Sequence, residues 1–322
     1  MHHSLTLGFA AALVFACAGN DRTPRSAAPP SDGGLCPIAS ARQALPPTPA
    51  ASASSTIAQP KDTRFALGGT EVLQLPSKTN GRSYEISVGF AYKNEPGQRH
   101  PTVYVLDGYW DFPLVNTIRG ALQYDEAIPD VIVVGIGYTG FDASAPELMD
   151  LRASDDTPTK SSKRLDSGRG PEFLRFIAEE LFPFIESRYP SDPAHRVLAG
   201  ASFGGLFTLY TLFERPELFY GYVAMSPAVR WDDSWIVRRE REFHASHPAL
   251  AARLWLSVGG DEDKEAMAAE RAFFKQIEAS KYRDFALRSR VLEGERHAAM
   301  KNESYNRGLR FVLAPLAAKP SK

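Results

Sequence analysis

Two stretches near residue 80 alternate apolar and polar side chains: Gly69 to Leu75 and Arg82 to Tyr92, separated by the turn-forming PSKTNG. A period of two marks a half-buried strand, so the pair predicts an antiparallel hairpin. PTVYVLDG (101–108) and DVIVVGIGY (130–138) are nearly continuous apolar and β-branched runs, as in strands covered on both faces of a sheet. A helix follows from Pro171, with Phe173, Ile177, Leu181 and Ile185 every four residues; Pro183 predicts a kink in it. HRVLAG (195–200) reads as a short strand. SFGGLFTLYTLF (202–213) reads as a helix apolar nearly all round, hence buried, that stops before Pro216. YGYVAMSP (220–227), ARLWLSVGG (252–260) and FALRSRVLEGE (285–295) give three more strands, with a helix from Lys264 to Ser280 between the last two. A closing helix carries Tyr305, Leu309, Val312, Leu313 and Leu316. Such alternation predicts an α/β fold: a mostly parallel central sheet with helices on both faces and an antiparallel N-terminal hairpin. The polar, proline-bearing segment 139–170 reads as a long irregular loop, a candidate substrate rim or lid.

The N-terminus departs from this pattern. Leu5 to Ala16 is a short apolar run followed by small residues, the form of a signal-peptide core and not of a spanning helix. Residues 1–18 are therefore expected to be an export signal. Cys17, after a small residue, is a candidate lipidation site; a cut after Ala18 would instead release a soluble protein. Residues 19–62 are rich in Ala, Pro, Ser and Thr, too poor in bulky apolar surface to offset their ordering entropy, and read as a disordered linker. The folded domain is assigned to 63–318. The expected location is outside the cytoplasm of a bacterium, periplasmic or anchored at the outer membrane. Cys17 and Cys36 are the only cysteines, so no disulfide framework holds the domain. A net charge of −1 favours neither a nucleic-acid partner nor a polybasic membrane surface, leaving the lipid anchor as the expected membrane contact.

The candidate chemistry centres on AGASFGGL. Gly200, Ala201, Ser202, Phe203 and Gly204 form G-x-S-x-G, and an apolar strand before it with an apolar helix after it is the setting of a nucleophile elbow. Glycine within a helix costs about 1 kcal/mol against alanine; here Gly200 and Gly204 are expected where side chains would strike the neighbouring strand or helix. A serine nucleophile needs a base. His297, after a strand and a glycine loop, occupies the expected position; His100 and His195 precede the serine, and His2 and His3 lie in the signal region. The spacing of His244 and His247 suits a metal pair but reads better as a solvated one. The acid is expected just past LWLSV, among Asp261, Glu262 and Asp263. The backbone N–H of Phe203, with that of Gly108 or Tyr109, is the candidate oxyanion hole. Trp110, Tyr138, Trp231 and Arg230 are candidate pocket residues. This chemistry requires no metal or organic cofactor.

VYVLDGYWDF, VIVVGIGY, GASFGGLFTLYTLFERPELFYGYVAMSPAVRWDD and EGERHAAMKNESYNRGLRFVL, taken in order, resemble the branch of the α/β-hydrolases that includes esterase D-type enzymes and the siderophore esterases acting on enterobactin, salmochelin or bacillibactin. The resemblance spans most of residues 70–315. It implies Ser202 as nucleophile, His297 as general base, and Glu262 as acid, with Asp263 second. RASDDTPT (152–159) is similar to the family's R-x-x-D-x-T-P loop, and Arg230 stands where the family often has an aromatic residue. The expected function is carboxylic ester hydrolysis through an acyl-enzyme, with a siderophore trilactone as the preferred small-molecule substrate. Acetyl or feruloyl carbohydrate esters, acyl transfer to another alcohol, and a non-catalytic ligand-binding lipoprotein are the competing readings.

Overall fold

Alternation along the strands sorts the interior into two layers, one on each face of a single sheet. The computed structural model describes residues 67–317 apart from 94, 142, 143, 163 and 165; the signal segment, Cys17, Cys36 and the linker lie outside the described residues. The hairpin pairs β1 (Thr70–Pro76) with β2 (Ser83–Gly89) antiparallel. β3 (His100–Val105) and β4 (Ile132–Tyr138) are the two continuous apolar runs. β5 (Ser191–Ala201), β6 (Gly221–Met225), β7 (Ala249–Gly259) and β8 (Arg283–Leu292) complete the order β1-β2-β4-β3-β5-β6-β7-β8. β2 meets β4 antiparallel, and every pairing from β4 onward is parallel.

Val103 and Val105 face one side, where they pack with Phe112 and Val115 of α1 (Gly108–Tyr124) and Leu309 and Val312 of α8 (Met300–Leu313). Tyr104 faces the other layer. There α3 (Gly170–Phe176), α5 (Phe203–Glu214), α6 (Trp231–Ser246) and α7 (Lys264–Ser280) contribute Phe173, Phe207, Phe243 and Phe273. Every residue of α5 from Gly204 to Phe213 is buried, as its unbroken apolarity requires.

Two expectations need correction. Segment 139–170 is not irregular throughout: it contains α2 (Pro146–Asp155), opened by a proline in its first turn, where a missing N–H costs nothing. Asp155 is buried by pairing with Arg82 Nε at 2.9 Å and Tyr84 Oη at 2.8 Å, so the polarity reflects internal ion pairing and not exposure. Pro183 does not produce a simple kink. A π-turn, Ile177–Leu181, joins α3 to α4 (Phe182–Glu186), and the wider turn contains Glu179, whose carbonyl the proline ring would otherwise strike.

Candidate active site

Ser202 sits between β5 and α5 at φ 60°, ψ −117°. A non-glycine residue there carries roughly 1–3 kcal/mol of strain. The surroundings hold it: its N–H donates to Met225 O at 2.9 Å, and its carbonyl accepts from Leu206 N and Ala228 N, both at 3.0 Å. A Cβ at Gly200 would lie 2.5 Å from Gly204 O, and one at Gly205 would lie 2.8 Å from Met225 O. These glycines are what let α5 start directly against the strand ends.

The three acidic candidates separate by geometry. Asp263 caps α7, accepting from Glu265 N and Ala266 N, and Asp261 is exposed. Glu262 turns inward: Oε2 receives His297 Nδ1 at 2.7 Å, and Oε1 receives Gly259 N at 2.9 Å together with the hydroxyl of Ser226. Burial alone would raise this carboxyl, but the bonds from His297, Ser226 and Gly259 reverse that and hold it below the usual carboxylate range. Behind it on α7, Glu270 is pushed up to about 9 by burial and by the charge of Glu262.

All three groups lie beyond the carboxyl ends of parallel strands: Ser202 after β5, Glu262 after β7 and His297 after β8. The segment after β6 ties them together. Its Ala228 N bonds Ser202 O, its Ser226 N bonds Ser257 O at 2.7 Å, and its Ser226 hydroxyl bonds Glu262. The imidazole is over half exposed, and among the described residues no hydrogen bond joins it to Ser202 Oγ. In an unliganded site such a contact is commonly long and shortens with substrate. The sequence did not single out Ser226; its one signal is its place just past a central strand, where it holds the acid.

Phe203 opens α5, and Gly108 and Tyr109 open α1 after a left-handed Asp107 (φ 57°). First-turn amides of a helix have no intrahelical acceptor, so both helix starts suit an oxyanion. Of the candidate pocket residues, Trp231 packs edge-on to Phe203 with ring centres 5.3 Å apart and donates Nε1 to Thr159 O at 3.2 Å. Trp110 is exposed and carries the Arg152 guanidinium over its ring at 5.5 Å. Arg230 is exposed and paired with Glu265 at 3.1 Å, placing it at an outer edge. Tyr138 is buried against Tyr84, with its hydroxyl donated to Leu151 O at 3.3 Å, so it packs with the core. An aromatic residue at a strand end serves the core as readily as a rim, and sequence position does not separate the two.

The loop resembling R-x-x-D-x-T-P buttresses the same region. Arg152 clamps the Asp107 carboxylate with both Nε and Nη2, the latter at 2.7 Å, and both side chains are nearly buried. The buried carboxyl of Asp156 beside them is driven well above the usual range by burial and by Asp107's charge. Across the sheet, Asp111 receives Tyr305 Oη at 2.6 Å and the Lys301 ammonium, joining α1 to α8. Arg152→Ala would strand the Asp107 charge in a dry site; urea unfolding is expected to show a loss of about 3–5 kcal/mol. A loss under about 1 kcal/mol would mean that the carboxylate has other support.

His247 stacks on Phe243 at 4.2 Å and His244 packs edge-on to Tyr282. No group of three or more metal-ligating side chains gathers among the described residues.

Comparison with known proteins agrees with this architecture. The family model described as Putative esterase matches residues 77–307. A ferri-bacillibactin esterase of Bacillus subtilis is 28% identical over 269 residues, 78% of this chain and 92% of that one. A siderophore enterobactin esterase of Emericella nidulans is 28% identical over 238 residues, 65% of this chain and 76% of that one. Among solved structures, the BES protein of Bacillus cereus superposes with a TM-score of 0.72 at 26% identity, covering 79% of this chain and 98% of that one. The siderophore hydrolase EstB of Aspergillus nidulans gives a TM-score of 0.69 at 23% identity, over 80% and 99% of the two chains, a likeness of fold. The fold is that of the α/β-hydrolases.

Proposed function

From the premise that the chain belongs to this family of carboxylic ester hydrolases, we propose that it cleaves siderophore lactone esters through a Ser202 acyl-enzyme. The observation that carries the mechanism is the Glu262–His297 bond at the same sheet end as the strained Ser202. A carboxylate on Nδ1 fixes that nitrogen as the N–H, leaving Nε2 as the proton acceptor. Ser202 Oγ attacks the ester carbonyl carbon while Nε2 takes its proton. The N–H of Phe203 and that of Gly108 or Tyr109 receive the charge developing on the carbonyl oxygen. Collapse breaks the bond to the alcohol oxygen, which leaves with the imidazolium proton. Water then repeats the two steps and releases the acid.

The printed activities of the relatives support the substrate class. Phe203, Trp231 and Trp110, beside the nucleophile and the two helix starts, offer aromatic surface suited to catechol rings. The test is a panel of ferric and iron-free catecholate trilactones, acetylated and feruloylated carbohydrates, and an alcohol acceptor, read by product mass. The expected result is opening of the trilactone to linear hydroxy acids. Turnover of the carbohydrate esters alone, or acyl transfer to the alcohol, would overturn the assignment.

A further inference from the structure

A groove of about 850 Å³ lies between β7, β8 and α8, and no residue of the candidate active site lines it. None of its side chains was a candidate for the ester chemistry. Arg253, Arg288, Arg290, Arg307 and Arg310 all line it, against a single carboxylate, Glu303. In a chain whose net charge is −1, a local surplus of four positive charges is a concentrated field.

The fold assembles these charges from two directions. Arg288 is in register with Trp255, and Arg290 with Ser257, so both arginines lie on the face of the parallel pair that carries Trp255. Arg307 and Arg310 descend onto that face from α8. Arg310 is ten residues beyond Met300, about 15 Å along the axis, so the groove runs away from the catalytic end, where His297 precedes the helix. An edge strand gains from scattered charge as protection against pairing, but that role does not call for two further guanidiniums on the facing helix.

Most of the charge is unspent. Arg307 is paired with Glu303 at 2.7 Å, and Arg253 donates to Phe311 O at 3.0 Å. Arg288, Arg290 and Arg310 have no carboxylate partner among the described residues. Arg253 and Arg288 both lie against the Phe311 ring, at 4.9 and 5.2 Å, which fixes their planes. Trp255, buried and lining the same groove, has an indole N–H without a hydrogen-bond partner, and a buried donor left unpaired is uncommon. Guanidiniums match phosphate oxygens in two-point contacts, and the volume is that of a small-molecule site. A concave groove also seats a compact ligand better than a flat bilayer.

We infer that this groove is a second binding site, separate from the ester-cleaving centre, for a soluble small molecule carrying several phosphate charges. The test is calorimetric titration of the full chain with inorganic tripolyphosphate, with inorganic phosphate, and with phosphatidylglycerol vesicles. Saturable one-to-one binding of tripolyphosphate is expected, much tighter than inorganic phosphate and weakening steeply with added salt. The double variant Arg288→Gln, Arg310→Gln is expected to weaken it by at least about tenfold per guanidinium removed. Hydrolysis of p-nitrophenyl acetate by that variant should stay unchanged, which reports an intact fold. Absence of saturable binding, undiminished binding by the variant, or binding to vesicles without binding to tripolyphosphate would each overturn the inference.

Discussion

Ser202→Ala is expected to lower kcat on p-nitrophenyl acetate by between about 10³ and 10⁶. The variant keeps a Cβ at φ 60°, so the backbone strain and its bonds to Met225, Leu206 and Ala228 persist. Stability should therefore change by less than about 1 kcal/mol, and thermal unfolding separates lost chemistry from lost structure. A fluorophosphonate probe is expected to label the parent protein at Ser202 and to leave the variant unlabelled. Full activity in a folded alanine variant, or labelling at another serine, would remove Ser202 as the nucleophile. The elbow holds Ser202 beside the first turn of α5, where backbone amides can stabilise an oxyanion but not the ground-state ester to the same degree.

Glu262→Gln is expected to cost between about 10² and 10⁴ in kcat with little change in KM. The amide can still touch His297 Nδ1, but it no longer stabilises an imidazolium, and as an N–H donor it can select the wrong tautomer. The same substitution has a signature in stability. Folding lowers the Glu262 carboxyl below its ordinary value of about 4.3. The ionised form therefore stabilises the folded chain above that pH, and the contribution disappears as pH falls through the lower, folded value. Parent and variant should differ in Tm at pH 7, and the gap should close on acidification below about pH 4. A gap unchanged by pH would show that the ionised carboxylate is not the stabilising form. Asp263→Asn is the matching control. It retains a side-chain oxygen to cap α7, so activity should persist.

Much of this site was legible in the sequence because its signals are local. G-x-S-x-G between an apolar strand and an apolar helix needs no distant residue to be read, and the position of His297 follows from a strand, a glycine loop and a helix in succession. Glu262 was harder. Three consecutive acidic residues share one local pattern, and the family resemblance, not spacing, favoured the middle one. The structure separates them by direction: successive side chains at a helix start point outward, inward and along the axis, so one caps α7 while its neighbour reaches His297. The helix inside segment 139–170 was not legible because its polar residues find their partners elsewhere in the chain. Asp155 and Arg152 are buried since each meets an opposite charge, Arg82 just before β2 or Asp107 just after β3, and no window of sequence around residue 150 contains those partners.

By itself, the order of apolar and polar residues determined the α/β class, the double-sided sheet, the fully buried α5 and the positions of the candidate residues Ser202 and His297, because periodicity and turn chemistry act over a few residues. Tertiary structure alone decided which carboxylate meets the imidazole, that Ser226 holds it, that Arg152 neutralises Asp107, that Tyr138 belongs to the core, and that five arginines from β7, β8 and α8 share one groove. Each of these depends on contacts between residues far apart in the chain, and Coulomb attraction, burial and hydrogen bonding depend on distance in space, which the linear order does not carry.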